Sequence, residues 1–168
     1  MTLIDTSGCS FDEVFNHQQR SLSNPGEYFI LKEHLHVHFQ DKVTGKYPDL
    51  GEVSIGIISP YAEQVRHIRE EIRQDADMFG LDIEVDTVDG FQGQEKDVIY
   101  LSLVRSNAKG EIGFLKDSRR LNVALTRARK KLVIIGDMTT LSSFGLFNQL
   151  ADHVEKHGVY QSAWEYMS

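Results

Sequence analysis

"TVDGFQGQEKDVIYLSLVRSN" (residues 87–107) joins a loop with two glycines to a run of apolar residues, and this run decides the fold. Residues 97–104 have the length of a strand and are apolar enough to be buried on both faces. Similar runs occur at residues 53–59 and 131–137. Such strands are typical of parallel sheets that helices cover on both sides.

Amphipathic segments separate these runs. Helices are predicted at residues 27–39, 59–74, 117–129 and 144–158, further strands at 2–6 and 82–88, and a loop at 46–52. In the second helix Ser59 is the predicted cap and Pro60 lies in the first turn. The alternation predicts one α/β domain over residues 1–168, with a parallel sheet flanked by helices.

Composition excludes several classes of protein. The 168 residues include 40% hydrophobic and 26% charged residues, which is ordinary for a globular domain. No apolar run approaches the roughly 20 residues of a membrane helix, and no secretory signal opens the chain. The single cysteine, Cys9, suits a reducing compartment, so we expect a cytoplasmic protein without disulfides. The histidines form no metal-binding pattern, and we expect no metal site.

A basic block stands out in a chain of net charge −7. Residues 119–131 contain Arg119, Arg120, Arg127, Arg129, Lys130 and Lys131 and no acidic residue. On the predicted helix, Arg120 and Arg127 are seven positions apart and share the face opposite the apolar residues. A guanidinium matches phosphate oxygens, which indicates a phosphate-binding role. The alternative is a solvated face whose arginines pair with nearby acids.

Ligands of open parallel sheets bind beyond the carboxyl ends of the strands. The loops after residues 59, 86, 104 and 136 are predicted to share that edge. Gly90 and Gly93 allow a ligand to approach the backbone, and Gln92 and Glu95 offer an amide and a carboxylate. Ser59 and the amides after it can hold a phosphate. An ordinary tight turn and an ordinary helix cap remain open as alternatives.

Three segments carry a resemblance: "IGIISPYAEQV", "VDTVDGFQGQEKDVIYLSLVRSN" and "GFLKDSRRLNVALTRARKKLVIIGD". In this order they resemble motifs IV, V and VI in the second RecA-like domain of superfamily-1B, Upf1-like helicases. The branch with the immunoglobulin mu-binding helicase and its bacterial relatives is the most similar. The similarity runs from about Leu3 to Asp137, and the closing "SAWEY" is also similar.

The resemblance implies a role for each matching residue. Arg127 would be the arginine finger that reaches the ATP γ-phosphate, and Arg120 would support it or hold neighbouring acids. The residues implied at the nucleotide are Gln64, Gln92, Gly93 and Glu95. Those implied on the sugar–phosphate backbone of single-stranded DNA or RNA are Ser59, Pro60, Tyr61 and Thr87. Val65 stands where relatives often carry an arginine, so a second γ-phosphate contact is absent or comes from Arg66.

The chain lacks the other half of such a site, since it contains no GxxxxGK[ST] segment. ATP and Mg²⁺ would be held mainly by a preceding RecA-like domain of the same polypeptide, so we expect the chain alone to be inactive and Met1 to mark a boundary within a longer protein. Two alternatives stay open. One is a stand-alone binding or regulatory module. The other is a magnesium-dependent nuclease that uses Asp86 or Asp89 with Lys96.

Overall fold

A computed structural model gives the architecture of the chain and describes residues 1–43, 53–78 and 80–168; the loop predicted at 46–52 lies outside them. The strands are β1 (Thr2–Asp5), β2 (Val14–Asn16), β3 (Ser21–Ser23), β4 (Ser54–Ser59), β5 (Asp82–Thr87), β6 (Lys96–Ser102), β7 (Ala128–Gly136) and β8 (Val159–Ser162). The helices are α1 (Pro25–Val43), α2 (Ala62–Gln74), α3 (Ser118–Leu125), α4 (Met138–Leu141) and α5 (Gly145–His157). Short 3-10 turns occupy Ala76–Met78, Gly113–Lys116 and Ala163–Tyr166.

Six strands form one sheet in the order β5-β4-β6-β7-β1-β8, and every neighbouring pair is parallel. In the middle of the sheet Ile57 aligns with Tyr100, and Tyr100 aligns with Val133. Central parallel strands are buried on both faces, which explains their near-continuous apolar sequence. The predicted parallel α/β sheet is confirmed.

Helices cover both faces of this sheet. Successive side chains of β6 point to opposite faces because a strand has a period of two. Ile99 and Leu101 belong to the core that α3 and α5 close with Leu121 and Phe147. Tyr100 belongs to the core on the other side, beneath α1 and α2. The three layers form a RecA-like α/β architecture. Among the described residues, no helix combines the length and apolar character needed to cross a membrane.

The start of α2 differs from the prediction. Ser59 ends β4, and α2 begins at Ala62 after Tyr61, whose side chain makes no capping bond. The backbone N–H of Tyr61 donates to Ser59 Oγ at 3.3 Å, so this hydroxyl stabilises the turn before the helix. The predictions of Ser59 as the cap and Pro60 in the first helical turn are therefore wrong. Ile68 of α2 is fully buried and faces the core.

Three strands, the short helix α4 and the 3-10 turns were not predicted. The hairpin β2–β3 packs beside α2, where the backbone N–H of Glu63 donates to Ser21 Oγ at 3.2 Å. The edge strand β8 pairs with β1 after α5 ends at its Gly158 cap. These strands have three or four residues each and carry no apolar run long enough to indicate a strand.

Candidate functional site

The loop between β5 and β6 runs from one edge of the sheet to the other. It leaves β5 after Thr87 at the carboxyl edge and reaches β6 at Lys96, which aligns with Ala128 at the start of β7. Phe91, halfway along, is fully buried in the core beneath α3 and anchors the crossing. The prediction that the whole loop lies at the carboxyl edge is correct for Thr87 and wrong for Glu95, which adjoins the amino edge.

Glycine is required at two positions of this loop. Gly93 has a φ of +80°, a left-handed conformation that disfavours any side chain. A Cβ on Gly90 would overlap the carboxylate of Asp86. Gln92, Gly93 and Glu95 are exposed, so this part of the loop presents its polar groups to solvent.

Arg127 lies between α3 and β7 rather than on a helix. The helix ends at Leu125, and the Thr126 hydroxyl bonds back to carbonyl oxygens of the last turn. The carbonyl oxygen of Arg127 accepts the N–H of Lys96 at 3.0 Å, and this bond begins the pairing of β7 with β6. The prediction of a helix to residue 129, with Arg120 and Arg127 on one face, is therefore wrong. The backbone from Arg127 onwards pairs with β6 in the sheet and cannot continue the helix.

Neutral oxygens hold the guanidinium of Arg127. Its Nε donates to Val123 O at 3.1 Å, Nη1 to Gln94 O at 3.4 Å and Nη2 to Thr126 Oγ1 at 3.2 Å. None of the ion pairs between described residues involves Arg127, although its side chain is partly buried. The positive charge therefore has no anionic partner in this part of the chain and is available to an anion.

Three other cations of the basic block differ from Arg127, because each of the three has a carboxylate partner. Arg120 Nη2 lies 3.3 Å from Asp89 Oδ2 in the β5–β6 loop. Arg129 Nε and Lys130 Nζ lie 3.7 and 3.6 Å from Asp97 Oδ1. The arginine and lysine side chains are about half exposed or more, and pairs of this kind contribute little to stability.

The residues predicted to contact nucleic acid lie together at the carboxyl edge, because Ser59 and Thr87 end adjacent strands in register. Ser59 and Tyr61 are buried, with 0% and 3% of their surfaces exposed. Pro60 and Thr87 are partly exposed and form the accessible part of this set. The fully buried Gln64 lies beneath the same edge, away from the loop segment next to Arg127.

Gln64 belongs to a buried polar network that sequence reasoning missed. Its Nε2 donates to Ser102 Oγ at 2.9 Å and to Asn24 O at 3.0 Å. The Ser102 hydroxyl donates to Glu27 Oε2 at 2.5 Å, and the Val104 N–H donates to both Glu27 carboxyl oxygens at 2.9 Å. Burial raises the pKa of Glu27 to about 8. "SNPGE" reads locally as a helix start, and no local signal shows that its glutamate enters the core.

The network holds a strained turn after β6. Val104 has a φ of +71°, and the N–H of Arg105 donates to Leu103 O at 2.8 Å across it, which makes a γ-turn. Positive φ is rare for a β-branched residue. The turn directs Arg105 inward, where its Nε donates to Glu13 Oε2 at 2.9 Å and its Nη1 to the Tyr61 hydroxyl at 3.3 Å.

The residues of the nuclease hypothesis do not converge. Lys96 Nζ lies 2.9 Å from Glu84 Oε2 and Asp86 lies 3.6 Å from Arg69, while Asp89 pairs with α3. In the described part of the chain, no three metal-ligating side chains come together. The arrangement therefore offers this reaction no metal centre.

The six-stranded parallel sheet with helices on both faces is a RecA-like α/β fold of the P-loop NTPase-like class. The chain belongs to the AAA_12 family, described as an AAA domain, which matches residues 1–139.

Its relatives include helicases. Identity is 48% over 143 residues with "DNA polymerase alpha-associated DNA helicase A" of Saccharomyces cerevisiae, covering 84% of this chain and 20% of the relative. It is 36% over 167 residues with "DNA-binding protein SMUBP-2" of Rattus norvegicus, covering 99% and 16%. It is 42% over 137 residues with "Helicase sen1" of Schizosaccharomyces pombe, covering 80% and 8%. The chain thus spans a fifth or less of these relatives and is a superfamily-1 helicase-related domain.

Proposed function

We propose that this chain is the second RecA-like domain of an ATP-dependent, superfamily-1B helicase of the Upf1-like group, in the branch of the immunoglobulin mu-binding helicase. Residues 1–168 form one domain, and Arg127 acts as an arginine finger on ATP. A preceding RecA-like domain of the same polypeptide holds ATP and Mg²⁺ through its own P-loop, a segment that these 168 residues lack. The chain alone does not hydrolyse ATP. The protein acts in the cytoplasm.

The observation that carries this proposal is the set of neutral partners around Arg127. Three neutral oxygens orient its guanidinium without cancelling its charge. A preoriented cation stabilises charge that develops on a transferring phosphoryl group, and it needs no rearrangement of an existing ion pair. The residues available for this role are fewer than the basic block suggested, because Arg120, Arg129 and Lys130 already face carboxylates.

Neighbouring residues have supporting roles. Gln92, Gly93 and Glu95 are exposed and flank Gln94, whose carbonyl oxygen accepts from Arg127. This segment therefore contacts the nucleotide phosphates and ribose beside Arg127. Arg120 holds Asp89 and thereby fixes the loop.

Motif IV contributes less to the nucleotide. Val65 is buried in the core, and Arg66 forks between Glu63 and Glu70 at 2.5 and 2.6 Å. We therefore propose no second γ-phosphate contact from either position. Gln64 acts as a positioning residue through its buried hydrogen bonds.

The carboxyl edge forms part of the track for a single strand of DNA or RNA. Pro60 and Thr87 contact the sugar–phosphate backbone, and the buried Ser59 and Tyr61 shape the turn beneath them. Backbone contacts give sequence-independent binding. Closure of the two RecA-like domains on ATP, followed by reopening after hydrolysis, moves the chain along the strand.

A chimera tests the proposal. This chain replaces the matching segment of the yeast DNA helicase A, and ATP hydrolysis is measured with and without single-stranded DNA. We expect hydrolysis by the chimera and none by the chain alone. Arg127→Ala should lower the rate about 10³- to 10⁵-fold, whereas Arg119→Ala, an exposed arginine of α3, should not. Equal rates for both variants would reject the finger, and an inactive chimera that still binds DNA would favour a regulatory module.

A further inference from the structure

A pocket of about 200 Å³ opens between the β2–β3 hairpin and the turn Gly113–Lys116. Its lining includes the side chains of Phe15, Arg20, Leu22, Tyr61, Arg105 and Phe114. The pocket lies beside Pro60 at the carboxyl edge, and no role has been assigned to the hairpin that forms one wall.

Two phenylalanines of this pocket remain in water. Phe114 is 62% exposed and Phe15 is 49% exposed. Burial of large apolar side chains away from water lowers the free energy, so this exposure is unfavourable unless a ligand covers the rings. The Phe114 ring is tilted by 31° to Tyr61, with the ring centroids 5.6 Å apart. The buried Tyr61 hydroxyl accepts a hydrogen bond from Arg105 Nη1 at 3.3 Å, which holds this ring in place. Aromatic side chains around an open pocket suit a flat ring.

The charge of the rim restricts the occupant further. Arg20 is exposed at the end of the hairpin loop, with a φ of +51°, and lines the same pocket. The ion pairs between described residues do not include Arg20. An arginine beside an aromatic platform complements a flat base that carries a phosphate. The volume lies below the roughly 300 Å³ at which pockets for drug-sized ligands begin, which fits a single ring system.

We propose that this pocket binds one nucleobase of a single strand, stacked on Phe114 and Phe15, with Arg20 on the adjoining phosphate. The proposal rests on the nucleic-acid track proposed above and adds a base contact to it. Every base has an aromatic face, so stacking adds affinity without requiring a particular sequence. The β2–β3 hairpin would thereby supply a contact to a base, which the strands of the sheet do not provide.

The test compares two oligonucleotides on the chimera described above: a 12-residue oligothymidylate and a 12-residue strand of abasic sites with the same phosphates. The chimera with the unchanged pocket should bind the oligothymidylate about 5- to 150-fold more tightly, the range expected for one stacked base. Phe114→Ala and Phe15→Ala should remove most of this preference. Phe29→Ala, an exposed aromatic on α1, should retain it. Arg20→Ala should weaken both strands and lower the salt dependence by about one phosphate contact.

Each result is decisive. Equal preference in the unchanged chimera and both pocket variants would overturn the pocket and leave the track intact. Binding without any preference for bases would do the same. No binding to either strand would overturn the pocket and the nucleic-acid track together, while the Arg127 proposal stands on its own ATPase test. Repeating the series with oligouridylate determines whether the base comes from DNA or RNA.

Discussion

The two edges of the sheet use polar residues in opposite ways. At the carboxyl edge, Glu27, Gln64 and Ser102 are buried and satisfy one another, and Arg105 lies against Glu13. At the amino edge, Arg127 has neutral partners and remains partly exposed. Buried polar groups that satisfy each other's hydrogen bonds stabilise the fold. An oriented positive charge without a counter-ion is instead suited to binding an anionic ligand. The comparison predicts large stability effects at the first edge and small ones at the second.

The largest effect is expected from Arg105→Ala. Removal of the guanidinium leaves Glu13, with 16% of its side chain exposed, without its cationic partner, and among the described residues only the Ser106 N–H and Asn107 Nδ2 still donate to its carboxylate. Breaking a buried pair from one side costs about 3 kcal/mol or more. Urea denaturation monitored by circular dichroism measures the loss, with the exposed Arg119→Ala as the control. A loss below about 1 kcal/mol would show that this edge contributes less to the fold than its contacts indicate.

Glu27→Gln should show a dependence on pH. Burial raises the pKa of Glu27 from 4.5 to about 8, so between these values the folded protein keeps a proton that the unfolded chain releases. The stability contributed by neutral Glu27 is complete below pH 4.5 and is lost as the pH rises towards 8. Glutamine stays neutral. As the pH rises through this window, the free energy of unfolding of Glu27→Gln should therefore increase relative to that of wild type by up to about 1.4 kcal/mol per pH unit.

Denaturation at pH 5 and pH 8 measures this gain, with the exposed Glu95→Gln as the control for the change of charge. A difference between Glu27→Gln and wild type that stays constant with pH would mean that the Glu27 carboxyl is ionised in the fold.

A smaller effect is expected from Gly93→Ala in the loop next to Arg127. The φ of +80° costs a residue with a Cβ about 1–2 kcal/mol, although the space around it is open. Gly145→Ala is a matched control at the first residue of α5, where a Cβ meets nothing within 4 Å, and it should stabilise the protein by about 0.5 kcal/mol. The same sign for both variants would show that φ does not determine the choice of glycine at residue 93.

The smallest effect on stability is expected from Arg127→Ala. Its partners are neutral oxygens, two of them main-chain carbonyls that water can reach in its place. The free energy of unfolding should change by no more than about 0.5 kcal/mol. A loss above 2 kcal/mol would assign Arg127 to the fold and remove the contrast between the two edges.

Local pattern was sufficient for five of the six strands of the sheet and insufficient for the edge strand β8 and for parts of the site. Strands β4 and β6 each contain a continuous apolar run, so the burial of these runs on both faces could be predicted from the sequence. The end of α3 could not be predicted from local sequence, because Lys96, 31 positions away, pairs with the backbone of Arg127. The role of Glu27 depends on the turn at Val104, and no local sequence pattern links the two.

The most direct test of the central claim uses the same chimera with ADP and aluminium fluoride, which mimics the transferring phosphoryl group. If Arg127 acts on that group, Arg127→Ala should weaken binding of ADP with aluminium fluoride by about 1000-fold or more and leave binding of ADP alone unchanged. Equal affinity of wild type and Arg127→Ala for the aluminium fluoride complex would contradict the account.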